Sequence, residues 1–359
     1  MPITLDGLRR LAVAQSLFPP TTLKRALQKF GFVQADPIRS PARAQDLILR
    51  HRVKNYRAGD LERQYEALNV HEDFFINYGF VSSAVQKQMH PRANNCIAGV
   101  SGKRAKLLLE FVRQRGAVHP REVDEHFSHG TVKNYWGGSS NATTHLLDAM
   151  HYQGLLRVVR RQGGIRIYAA HQHEAGPTDK NICRANIDAL ADVAIRIYAP
   201  LPGRTLRFII RRLHLAVPQW RKELDSALRR AKDRLAHTRI NGVDWYWLGE
   251  TPDAEPTDNV RLLTPFDPVV WDRTRFELLW NWAYRFEAYT PIHKRKLGYY
   301  ALPLLWRDHV IGWGNLAIKD GALKSEFGYV ESPPKDPFFK RELEAELARI
   351  QAFLGLPNH

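Results

Sequence analysis

Apolar positions in the first thirty residues recur at helical spacing in two short runs. Leu5, Leu8 and Ala12 share one helical face. Pro19-Pro20-Thr21-Thr22 interrupts before Leu23-Lys24-Arg25-Ala26-Leu27, and Gly31 suits the residue that ends a helix. Ser40 offers a cap, and Pro41 a first-turn residue, for a basic helix over 40–49, with Arg43, Arg50 and Arg52 as its cations. The pattern is clearest over 103–170. Ala105, Leu108, Leu109 and Val112 form a stripe ending at Gly116. His119-Pro120 opens a short helix with Val123 and Phe127 on one face. A polar loop at 135–140 then leads to a third helix. Its inward positions are Thr143, Leu146, Leu147 and Met150, which leaves Asn141, Thr144, His145 and Asp148 outward. A basic hairpin turning on Gln162-Gly163-Gly164 follows.

Three helices and a two-stranded wing is the winged-helix order. Similar runs return at 187–198, 206–213 and 220–235, before a hairpin signalled by Asn241-Gly242. Residues 3–65 fit a third, degenerate copy. The proline-rich stretch 251–259 reads as a linker. Strand-like segments at 286–289, 297–305, 309–313 and 324–327 then predict a small barrel or curled sheet, and 340–354 an amphipathic helix. The expected fold class is α+β: tandem winged-helix (helix-turn-helix) modules forming a basic channel, followed by a C-terminal small β-barrel. The expected divisions are 1–100, 101–178, 179–250 and 251–359.

Charge selects the partner. Among 359 residues, 53 Lys and Arg stand against 37 Asp and Glu, a formal net charge of +16. Such an excess attracts polyanions, with DNA or RNA the first candidate and an anionic membrane the second. No apolar run approaches the roughly 20 residues of a membrane span, and the start of the chain lacks a signal-peptide pattern. Cys96 and Cys183 are the only cysteines, and neither has metal-ligand spacing. A cytoplasmic, nucleoid-associated monomer without metal or cofactor is expected.

The candidate chemistry is Gln34-Ala35-Asp36-Pro37. In an extended segment Gln34 and Asp36 would face the same way, and Pro37 biases Asp36 toward extended backbone. An amide and a carboxylate on one face of a basic protein suit activation of water on a nucleic acid. An Asp before Pro is also a common turn former.

Several segments together resemble the AlkZ-like (YcaQ-type) interstrand-crosslink DNA glycosylases, a winged-helix family. The longest is Leu262-Leu263-Thr264-Pro265-Phe266-Asp267-Pro268-Val269-Val270-Trp271-Asp272-Arg273, with Tyr289-Thr290-Pro291, Lys294-Arg295 and Gly298-Tyr299-Tyr300 beyond it. Gln34-Ala35-Asp36 resembles the family's Gln-apolar-Asp catalytic motif, and His71-Glu72 stands where the family often has a His-Glu pair. Two departures are visible. Ala35 is small for its position, and 314–321 lacks the family's arginines.

The resemblance implies hydrolysis of the N-glycosidic bond of N7-alkylated purines, including bulky adducts or interstrand crosslinks. Base loss develops positive charge at the sugar C1′. Asp36 would stabilise that charge and activate water, and Gln34 would position the water. His71 and Glu72 are candidates for site support. Arg39 and Arg43 would bind phosphates beside the lesion. Arg157, Arg160, Arg161 and Arg166 on the wing would grip the duplex, and Asn141 and His145 would read bases. One competing class is a non-enzymatic winged-helix DNA binder such as a transcriptional regulator, in which Asp36 is only a turn. A metal nuclease would need clustered carboxylates, and the acids do not cluster in that way.

Overall fold

The computed structural model describes residues 3–92, 102–127, 130–133, 139–173, 176, 179–249 and 257–357. Cys96, the polar loop at 134–138 and most of the 251–259 segment lie outside them.

The first unit runs α1 (Leu5–Ser16), α2 (Leu23–Phe30), β1 (Phe32–Gln34), α3 (Ala44–Leu49), α4 (Asp60–Arg63), β2 (Val70–Phe74), β3 (Tyr78–Ser82) and α5 (Ser83–Met89). Thr4 and Thr22 cap α1 and α2 with their side-chain oxygens, and Gly31 ends α2 at φ 72°, as its position predicts. The three strands pair antiparallel in the order β1-β3-β2. Ser40 and Pro41 do not open a helix. The Ser40 N–H is turned to the Ala42 carbonyl, and α3 starts only at Ala44.

The second unit comprises α6 (Lys103–Arg115), β4 (Ala117–Val118), α7 (Pro120–Phe127), β5 (Thr131–Lys133), β6 (Ser139–Asn141), α8 (Ala142–Gln153), β7 (Leu156–Gln162) and β8 (Ile165–Ala170). Its elements enclose a hydrophobic cluster of their own, with Leu108, Val112, Val123, Leu147 and Met150 fully buried.

The third unit is α9 (Lys180–Tyr198), β9 (Leu201–Pro202), α10 (Gly203–Arg212), α11 (Leu224–Arg234), β10 (Ala236–Ile240) and β11 (Val243–Trp247). Asn241 and Gly242 both take positive φ at the hairpin turn, which matches the strand twist. The helix expected from 220 begins at Leu224, because Trp220 leaves helical geometry and 218–223 is a 3-10 turn. Trp245, Tyr246 and Trp247 are core residues.

The C-terminal part holds β12 (Val260–Leu262), α12 (Arg273–Trp280), β13 (Leu302–Trp306), β14 (His309–Lys319), β15 (Ala322–Tyr329) and α13 (Pro337–Leu354). Its strands form a four-stranded antiparallel meander, β12-β13-β14-β15. The expected barrel is a curled half-barrel sheet, with α13 packed on the β12 edge. Residues 286–289 form no strand. The Glu287 carboxylate instead gathers the N–H groups of Lys296, Leu297 and Gly298, holding this stretch as a loop.

One continuous core joins the first unit, the third and the C-terminal part. The string around Asp267 is a joint in that core. Arg52 and Asp267, both fully buried, pair through two hydrogen bonds of 2.7 and 3.0 Å, and Arg52 also donates to the Ser16 and Ile48 carbonyls.

Candidate active site

A cavity of about 360 Å³ lies between the segment after β1 and the face of the second unit. Ala35, Asp36 and Pro37 line it from one side, with Arg43 and Tyr78. Thr144 and Asp148 of α8, and Arg161, Gly164, Arg166 and Tyr168 of the β7–β8 hairpin, line it from the other.

Asp36 is half-buried. Its Oδ1 accepts the Ile38 N–H at 2.9 Å, so the turn and the site are made by the same side chain. Burial raises its pKa above the ordinary aspartate value, and the Ile38 hydrogen bond offsets this only in part. Gln34, two residues before it, is not among the residues that line the cavity. β1 ends at Gln34, and the Gln34 Oε1 accepts from Asn77 Nδ2 at 2.9 Å, apart from the cavity wall.

His71 and Glu72 are neighbours on β2 and so point to opposite faces. His71 bonds Ser83 Oγ at 2.8 Å, and burial pushes its pKa down to about 4. Glu72 is buried. It accepts from Arg161 Nε and Nη2 at 2.7 and 2.6 Å, and from Tyr78 Oη at 2.7 Å. Burial alone would raise the Glu72 pKa, but the Arg161 guanidinium holds it below the usual range.

The wing arginines divide. Arg157 and Arg160 are exposed. Arg161 is committed to Glu72, and Arg166 donates to Asp148 Oδ1 at 2.8 Å with its guanidinium 4.9 Å from the centre of the Tyr78 ring. Both are therefore held by internal partners while they line the cavity. At the hairpin turn Gly164, with φ 86°, lets the backbone reach Arg43. A Cβ there would stand 2.3 Å from Arg43 Nη2. Arg43 pairs with Glu62, while burial and the nearby Arg39 and Arg161 lower its pKa. Arg39 is exposed.

Asn141 spends its Oδ1 on capping α8, accepting the Thr144 N–H at 3.0 Å, whereas His145 is exposed. Asp148, expected only as an outward residue, accepts from both Arg166 and Tyr168 Oη. Nothing in the local pattern marks Tyr78 or Asp148 as neighbours of Asp36, because only tertiary packing brings them there. Among the described residues no three His, Cys, Asp or Glu side chains stand together as a metal site, and no helix is long and apolar enough to cross a membrane.

The family model of AlkZ-like DNA glycosylases matches residues 27–353, from the end of α2 to the end of α13. The chain belongs to the AlkZ-like DNA glycosylase family. Its fold is similar to that of the Streptomyces sahachiroi DNA glycosylase AlkZ, with a TM-score of 0.65 at 15% identity over 99% of this chain and 98% of that one. At that identity the likeness is one of fold. The AlkZ-like family match extends over both walls of the cavity that holds Asp36.

Proposed function

We propose that the chain is a monofunctional glycosylase acting on double-stranded DNA, releasing N7-alkylated purines, bulky adducts and crosslinked bases included. The observation that carries this reading is Asp36 itself. It is a partly desolvated carboxylate on the wall of a cavity that Arg43, Arg161 and Arg166 also line. A carboxylate facing C1′ stabilises the charge that grows as the base leaves and can take a proton from the attacking water. A desolvated carboxylate is the stronger base while it stays ionised at neutral pH. Gln34, with its carbonyl engaged by Asn77, offers amide N–H groups to the water or the sugar edge.

An N7-alkylated purine is already cationic and leaves readily, so the site needs no dedicated acid. The second unit acts as a winged helix whose exposed Arg157 and Arg160 contact phosphates, with Arg39 and Arg43 flanking the lesion. A tethered, crosslinked base cannot enter a closed flipping pocket. A site shared between two units suits such a substrate.

The competing reading, a DNA binder without chemistry, draws on the Asp36–Ile38 bond, which a plain turn would also have. The test is base release from three duplexes: undamaged, N7-methylguanine and N7-linked interstrand crosslink. Alkali-labile cleavage of the damaged duplexes alone is the expected result. Equal binding to all three with no release would favour the binder.

A further inference from the structure

A second cavity, about 610 Å³, opens at the opposite end of α3 from Asp36. α3 has six residues, so its two ends are ~9 Å apart. Arg43 and Gln45 at its start belong to the Asp36 cavity, and Arg50 and His51 at its end line the second one.

Cations outnumber acids on the walls of this cavity. Arg50, Lys54, Arg57, Arg261 and Arg349 face a single carboxylate, Glu346. Glu346 is already fully used. Its Oε1 accepts from Arg50 and from the Leu262 N–H at 2.9 Å, and its Oε2 accepts from Arg349 Nε at 3.0 Å. The Arg50 side chain is 4% exposed, and its Nε is buried without a partner. Among the described residues the Arg261 side chain has no hydrogen-bond or ion-pair partner. Burial brings its pKa down to about 10, and the neighbouring Arg52 and Arg349 add to this while Glu346 opposes it. His51 is buried and held neutral, its Nε2 bonded to the Leu262 carbonyl at 3.0 Å. Unpaired, partly desolvated guanidinium groups are costly unless a counter-charge arrives. A phosphate oxygen is the partner that guanidinium geometry fits best.

We propose that this cavity binds a multiply charged phosphate, with Arg261 and Arg349 as direct ligands and Lys54 and Arg57 at the mouth. Two sources share that chemistry: the pyrophosphate end of a small nucleotide, and adjoining phosphates of a DNA strand. The site does not depend on the chemistry at Asp36.

The test is thermal unfolding of the full chain in pyrophosphate, against sodium chloride of equal ionic strength, with undamaged-duplex binding measured alongside. Wild type should gain roughly 5 °C at a hundredfold excess over its dissociation constant. Arg261→Gln should abolish the gain without lowering the melting temperature in chloride, since it removes an unpaired cation. The double variant Lys54→Gln/Arg57→Gln alters two exposed side chains, keeps the fold and should reduce the gain. Loss of the gain with a duplex salt slope shallower by about one would make DNA the source. Loss of the gain with duplex binding unchanged would make it a small phosphate. No gain in wild type, or a gain that both variants retain, would overturn the proposal.

Discussion

Asp36 shows how one side chain serves a turn and a site at once. The residues before and after it were legible in the sequence: Gly31 as a helix stop, the short strand, and Pro37 as a backbone constraint. The partners of the two polar side chains were not, because Asp36 closes its own turn on Ile38 and Gln34 meets Asn77, 43 residues away. Activity should require ionised Asp36. Since burial raises its pKa, the acid limb of kcat/KM should lie above the ordinary aspartate value of about 4, with activity lost as pH falls through it. Asp36→Asn keeps the acceptor for the Ile38 N–H and removes a desolvated charge, so its melting temperature should not fall below that of wild type.

At the scale of the element, the β7–β8 hairpin carries both an internally paired and an exposed set of arginines. Alternation alone would turn Arg160 inward with Leu156 and Val158. A register shift between Val158 and Arg160 exposes Arg160 and directs Arg161 to Glu72 instead. A single-residue bulge is invisible to periodicity, which is why the hairpin was predictable and the duty of each arginine was not. Arg161→Ala leaves Glu72 buried without its cation and should cost about 3 kcal/mol in chemical denaturation. Arg160→Ala should leave stability within about 0.5 kcal/mol and make the salt slope of duplex binding shallower by about one. Equal stability of the two variants would contradict this division.

Across the whole molecule, buried guanidinium groups tie the units together. Arg52 links α1, α3 and the turn at Asp267. Arg92 bonds Asp73 at 2.9 Å together with the carbonyls of Phe74, Tyr152 and Ala216, reaching the first, second and third units. The sequence marks the Asp267 string as specific, yet its partner stands 215 residues away, and no local pattern names such a partner. Asp267→Ala strands the Arg52 charge in the core and should cost about 3–5 kcal/mol. Burial would raise the Asp73 pKa, but Arg92 and His90 outweigh it and hold the group well below the usual carboxylate range. The stabilisation this provides is complete above the unfolded pKa near 4 and is lost as pH falls below it. Melting temperatures followed from pH 5 to pH 2 should fall in wild type and fall less steeply in Asp73→Asn.

The most direct test is single-turnover release of N7-methylguanine from a duplex, for wild type and Asp36→Asn at saturating protein. Release by wild type, slowed about 10²–10⁴-fold in the variant with duplex affinity unchanged, is the predicted result. Equal rates for the two proteins would contradict a catalytic Asp36, and no release by either would contradict the glycosylase reading of this chain.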